Sequence, residues 1–231
     1  MPHRSKRHPP SYGLKGLDAA LARHIDFDGG FFVEAGANDG IAESNTLLFE
    51  RHRNWTGLLI EPVPQLAQRC RVNRPNTLVE QVALVSFDHP DPTIRVRYSD
   101  LMSVVDGARG SETEDIEWAE LGFSTDGNSP SATVPRTIEV RAQPLSGVLD
   151  QHGITHVDLL SLDVEGYEPS VLRGLDFRRH GPSFIVVEVW SDAEVDELLL
   201  GNYARVDVLC SHEFHGHSWN DVLYRRHGPS P

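Results

Sequence analysis

Phe31-Phe32-Val33-Glu34-Ala35-Gly36-Ala37-Asn38-Asp39-Gly40 decides the fold. An apolar run short enough for one buried strand passes directly into a turn of Gly, Asn and Gly, and a helix-like stretch follows. Strand, tight turn and helix make the first half of a βαβ unit, where nucleotide cofactors bind in open α/β sheets. Gly36 turns the backbone without a Cβ, and Asn38 tolerates a left-handed conformation. Gly40 permits close approach to a ligand or to the sheet. Glu34, at the strand end, aims a carboxylate into the crevice beside the turn. The spacing Glu34-x-Gly36-x-Asn38-x-Gly40 is neither the dehydrogenase Gly-x-Gly-x-x-Gly nor a P-loop, so no phosphate cradle is specified. An acid there favours a ligand with a cationic group or free hydroxyls.

Upstream, Leu17, Leu21 and Ile25 recur at helical spacing, and Asp28-Gly29-Gly30 turns the chain into the strand. Downstream, 41–53 reads as a helix that Ser44 or Asn45 can cap, and 55–60 as a second strand closing on Glu61-Pro62. Glu61 stands roughly 20 residues beyond the glycine turn, the separation at which an acid meets ribose hydroxyls in doubly wound sheets. A helix over 65–72 and a third buried strand over 77–85 follow, then two alternating runs at 93–98 and 137–141. Between those runs, from 103 to 135, the pattern dissolves into Gly107, Gly110, an acidic stretch and a Gly/Ser/Pro/Asn segment. A loop of this length is either disordered or a lid or acceptor-site insertion, and Trp118, Leu121 and Phe123 favour the lid.

The second half alternates again. A helix or turn spans 144–152, and a buried strand over 157–164 ends in the acidic turn Glu165-Gly166-Tyr167-Glu168. Helix 169–175, strand 184–190, helix 192–200 and strand 204–210 follow. The last short strand, 221–225, is reached by a loop too short for a crossover helix, so it runs antiparallel to its neighbour. The whole reads as one α/β domain over 13–231, preceded by a basic, Pro-rich tail over 1–12 expected to be disordered.

A chain of 231 residues buries a full core, and its net charge of −13 argues against nucleic-acid or anionic-membrane partners. Cys70 and Cys210 form no CxxC pair and read as reduced thiols, which with the absence of a transmembrane-length or signal-peptide apolar run gives a cytoplasmic expectation.

Several segments together carry a resemblance. Phe32 to Gly40, Ser44-Asn45-Thr46, Trp55-Thr56-Gly57-Leu58-Leu59-Ile60-Glu61-Pro62, Asn73-Arg74-Pro75 and Leu162-Asp163-Val164-Glu165-Gly166-Tyr167-Glu168 resemble, in this order, the FkbM family of S-adenosylmethionine-dependent methyltransferases. The resemblance implies a class I methyltransferase (Rossmann-like) fold: a seven-stranded, mostly parallel sheet with an antiparallel last strand and helices on both faces. It implies S-adenosylmethionine as cofactor and a small-molecule acceptor, a sugar or secondary metabolite, methylated on oxygen, with a homodimer left open. Glu61 is then assigned to the ribose, and the backbone of Gly36, Ala37, Asn38, Asp39 and Gly40 to the cofactor's amino-acid end. Glu34 organises that turn or receives the ammonium. Ser44 and Thr46 are helpers or helix caps, and Ala83 flanks the adenine or is core. Asp163, at the tip of the fourth strand, is placed beside the reacting centre and also counted with the cofactor. Glu165 and Glu188 on the same rim, and His215 within His212-Glu213-Phe214-His215-Gly216-His217, complete the catalytic candidates. No metal is assigned. A divalent ion held by Asp163, Glu188 and a His is the minority reading. The rivals are an NAD(P)-dependent oxidoreductase and a catalytically silent scaffold.

Overall fold

The computed structural model describes residues 10–125 and 136–228. In chain order the strands are β1 (Phe31–Ala35), β2 (Thr56–Ile60), β3 (Leu78–Glu80), β4 (Ala83–Val85), β5 (Thr93–Tyr98), β6 (Val104–Val105) and β7 (Arg136–Pro144). They continue with β8 (Leu159–Leu162), β9 (Phe184–Val189), β10 (Tyr203–Phe214) and β11 (His217–Arg226). The helices are α1 (Leu17–His24), α2 (Leu47–Arg53), α3 (Pro64–Asn73), α4 (Glu112–Thr125), α5 (Leu145–Gln151), α6 (Glu168–Arg173), α7 (Phe177–His180) and α8 (Asp192–Leu199).

Seven strands form the main sheet in the order β10-β11-β9-β8-β1-β2-β3. β8 lies at its centre with β1 beside it, parallel to β8 and β2, and only β11 runs against its neighbours. Side chains alternate across the sheet, so each strand feeds two cores. Val33, Ile60, Leu160, Leu162, Ile185 and Val187 meet Val148, Leu149, Val171, Leu172 and Leu199 from α5, α6 and α8. Phe32, Leu59, Leu159, Val186 and Leu223 meet Leu17 and Leu21 of α1 and Leu48 and Phe49 of α2. Helices therefore cover both faces, as the resemblance implied. Proline opens α3, where its missing N–H costs nothing. Asn54, left-handed at φ 55°, closes α2.

Two expectations change. The single third strand over 77–85 breaks at Gln81-Val82: β3 joins the main sheet, whereas β4 pairs with β7 in a separate four-stranded sheet, β4-β7-β5-β6. An apolar run that changes sheets looks continuous in sequence. The runs at 93–98 and 137–141, left without a sheet in the sequence reading, are antiparallel partners in this second sheet. The stretch from 103 onward is also not structureless, since it holds β6 and the whole of α4. Ser111 Oγ accepts the N–H of Glu114 and donates to the Glu114 carboxylate, starting that helix, and Trp118 and Ala119 are buried beneath it. Residues 126–135 of that stretch and 1–9 of the expected tail lie outside the described residues. Ser11 and the Tyr12 N–H are held by the Asp18 carboxylate. Among the described residues, no helix is long and apolar enough to cross a membrane.

Candidate active site

The parallel strands end at one edge, and the turn after β1 crosses it. Gly36 has φ 83°, and a Cβ on it would lie 1.8 Å from the Asp163 carbonyl oxygen, so only glycine passes over the tip of β8. The N–H groups of Gly36 and Ala37 donate to the Ile60 carbonyl. Those of Asn38 and Val63 donate to the two oxygens of the Glu61 carboxylate, each at 2.9 Å. Glu61 thus ties the glycine turn to the end of β2. Burial pushes its carboxyl up to about 8, an effect the two N–H groups oppose and the nearby Asp100 reinforces.

Beneath the turn, the buried Glu34 carboxylate accepts from Ser44 Oγ, the Asn45 N–H, Thr46 Oγ1 and Arg74 Nη1, at 2.6 to 3.0 Å. Arg74 is fully buried over the ring of Phe32 and also pairs with Glu50. A carboxylate with four protein donors is a structural node. Ser44 Oγ in addition accepts the N–H of Leu47, so it caps α2 as well. Asn45 differs from its neighbours: it lines the cavity and its Nδ2 donates to Ser161, but its Oδ1 is sealed beside Gly13 without a partner.

That cavity, of about 460 Å³, runs from Glu61, Ala83 and Asp100 past the glycine turn to Asp163, Glu188, His212 and Trp219. Its far end is acidic and aromatic. Trp118 of α4 donates its Nε1–H to Glu165 at 2.8 Å, and Trp190 donates to Glu188 at the same distance. Glu168, almost fully buried, accepts the N–H groups of Val164 and Gly166 and so shapes its own turn. Burial, then neighbouring carboxylates, hold the carboxyls of Asp163 and Glu188 well above their usual range, and burial chiefly pushes Glu165 to about 8 and Glu168 to about 7. Arg109 stands among these acids with its guanidinium 4.0 Å from the Trp118 ring centroid and 3.9 Å from that of Trp190. Strain gathers here too. Lys15, Asn38, Glu43, Asp100 and Glu165 have positive φ without being glycine, and all five line the cavity. Each such residue costs on the order of 1 kcal/mol, a cost typical of functional sites.

Residues 34–210 match the methyltransferase FkbM domain. The chain belongs to the FkbM methyltransferase family. A similar solved structure is the methyltransferase FkbM from Methylobacillus flagellatus KT, 16% identical with a TM-score of 0.50, the alignment covering 90% of this chain and 47% of that one. A TehB-like SAM-dependent methyltransferase from Corynebacterium glutamicum is 10% identical with a TM-score of 0.44, over 91% of this chain and 88% of that one. TrmK of M. capricolum, solved with S-adenosyl-homocysteine, is 6% identical with a TM-score of 0.45, over 91% and 67%. No curated protein sequence matches the chain.

In this FkbM family member the cavity gathers Glu34, Gly36, Ala37, Asn38, Ser44, Glu61, Ala83, Asp163, Glu165 and Glu188. It does not gather Asp39, Gly40, Thr46 or His215. Asp39 accepts the N–H groups of Ile41 and Ala42. Gly40 packs on Arg74, Leu59 and Cys70, and Thr46 faces Glu34. His215 occupies the exposed two-residue turn between β10 and β11, where it and Gly216 both have positive φ. Sequence reading passed over Asn45, Asp100, Ser161 and His212 as individual site residues, and Lys15 altogether. Among the described residues, two donor sets lie within 4.8 Å of one another: Asp163 with Glu168 and Glu188, and Cys210 with His212 and Asp221. In each a donor atom is already engaged, Glu168 by backbone N–H groups and His212 by Asp221.

Proposed function

We propose that this protein transfers the methyl group of S-adenosylmethionine to a hydroxyl of a small, neutral acceptor, a sugar or secondary metabolite. One observation carries the reading: carboxylates from the tips of β2 and β8, Glu61 and Asp163, line a single cavity within the size range of small-ligand sites. The residues present fit the cofactor. Glu61 would hold the ribose hydroxyls, the backbone of 36–40 the amino-acid end and Ala83 the adenine flank. Bound, the cofactor supplies an electrophilic methyl on a sulfonium.

The chain's part is to hold an acceptor oxygen close and in line. Burial and neighbouring carboxylates raise the carboxyls of Asp163 and Glu188 well above their usual range, which favours the protonated form that donates hydrogen bonds to acceptor oxygens, and Trp118 and Trp219 give this end of the cavity an aromatic wall. α4 acts as a lid on this chamber. The acidic wall and the net charge of −13 disfavour phosphate-rich acceptors. Two free cysteines fit a reducing, cytoplasmic compartment.

Calorimetry with S-adenosylhomocysteine, followed by a labelled-methyl screen of hydroxylated small molecules, tests the proposal. Micromolar binding and label on oxygen are expected. No binding in that range sinks it, and NAD binding in its place revives the oxidoreductase reading.

A further inference from the structure

The cavity has a second polar wall, from β10 and β11, that methyl transfer as described leaves unused. Their register sets His212 opposite Trp219 and Asp221 opposite both Cys210 and, on the other side, Glu188. His212 Nε2 lies 2.7 Å from Asp221 Oδ2, with both residues more than nine-tenths buried. The imidazole stacks on the Trp219 indole, centroids 5.2 Å apart and planes 10° from parallel. His212 and Trp219 line the cavity together with Asp163 and Glu188.

A carboxylate on Nε2 selects the Nε2–H tautomer and leaves the lone pair on Nδ1. Nδ1 has no hydrogen-bond partner among the described residues, and unlike Trp219 Nε1 it is not a sealed, unpartnered atom. The ring is thus clamped by its back edge and face, with its front edge free.

We propose that His212 is the catalytic base that takes the proton of the acceptor hydroxyl, with Asp221 as its positioning residue. This rests on the methyl-transfer reading above. As the O–C bond forms and the S–C bond breaks, the hydroxyl proton passes to Nδ1 and the S–C electron pair stays on sulfur. The imidazolium so formed is balanced by the Asp221 carboxylate. Asp163 and Glu188, raised well above the usual carboxylate range by burial and then by neighbouring carboxylates, are better suited to donate hydrogen bonds than to this step. The charged and titratable groups around the ring are Asp221 on β11, Cys210 on β10, Glu188 and Asp163 beyond Asp221, and Lys15, whose Nζ bonds to the Ser211 carbonyl.

Protein labelled with ¹⁵N in its histidine rings and saturated with S-adenosylhomocysteine tests this, the His212 signals being those absent from His212→Gln. At neutral pH the proton is expected on Nε2, with a bare Nδ1 whose signal moves when phenol is added as hydroxyl probe. Asp221→Asn mixes the two tautomers, and its spectrum decides should His212→Gln not fold. Turnover of an acceptor found by the screen falls about 10²–10⁴-fold in His212→Gln with S-adenosylhomocysteine affinity unchanged. A proton on Nδ1, or an Nδ1 signal indifferent to phenol, overturns the base while cofactor binding stands. Failure of S-adenosylhomocysteine to bind overturns the methyl-transfer reading instead.

Discussion

At Gly36 one methyl group decides whether the turn exists. Gly36→Ala drives a Cβ into the Asp163 carbonyl and forces φ 83° on an L side chain. The expected loss is more than about 3 kcal/mol, read from urea unfolding, and a near-neutral variant would mean the strand tips do not touch there. Glu61→Ala removes a carboxylate that holds two backbone N–H groups and faces the cavity. S-adenosylhomocysteine affinity should weaken by about 1–3 kcal/mol, and unchanged affinity in a folded variant misplaces the ribose. Glu34, Glu61 and Asp163 were legible because each acid ends an apolar run, where a strand must stop. Their partners were not. Arg74 stands 40 positions from Glu34, and only the fold brings its guanidinium to that carboxylate. Asn45 was passed over because the hydroxyls of Ser44 and Thr46 looked more chemical, yet both are spent on Glu34. The paired roles of Glu165 and Glu168 separate through burial and hydrogen bonds: the first takes the indole of Trp118, the second its own turn.

Among the elements, α4 is the most instructive. Its Ser111-Glu112-Thr113-Glu114 start has the capping-box sequence, with the Ser111 hydroxyl bonded to both the N–H and the carboxylate of Glu114, legible in the chain but hidden by the glycines at 107 and 110 and the acidic run around it. Asp115 beneath it accepts the N–H groups of Gly107 and Arg109, so the approach and the helix are one unit. If α4 is a lid, its amides from 112 to 122 should exchange more slowly when S-adenosylhomocysteine is bound. Equal exchange with and without ligand would make it a fixed roof. The main parallel strands were readable from length and apolarity alone. The change of sheet at Gln81-Val82 was not, because local pattern carries no information about which partner a strand finds.

Across the whole molecule, burial of acid sets the response to pH. Glu61 and Glu165 at about 8 and Glu168 at about 7 all lie above the unfolded value of 4.5, so the folded state binds more protons than the unfolded one in between. Their contribution to stability is complete below the unfolded value and is lost as pH rises through 7 to 8. The melting temperature of the ligand-free protein should therefore fall from about pH 5 to about pH 9, and a flat or rising profile by calorimetry contradicts the burial described. A chelator should leave S-adenosylhomocysteine affinity and methyl transfer unchanged, since each close donor set has a donor already engaged within the protein. Three of the four tryptophans, Trp118, Trp190 and Trp219, stack or meet edge to face beside the cavity, and Trp55 lies apart against Phe27 and Phe49. The molecule thus carries a built-in optical gauge: three of its four indoles sit together beside the aromatic end of the cavity, so a change in their ultraviolet emission on adding a ligand can report occupancy without a dye or an engineered probe.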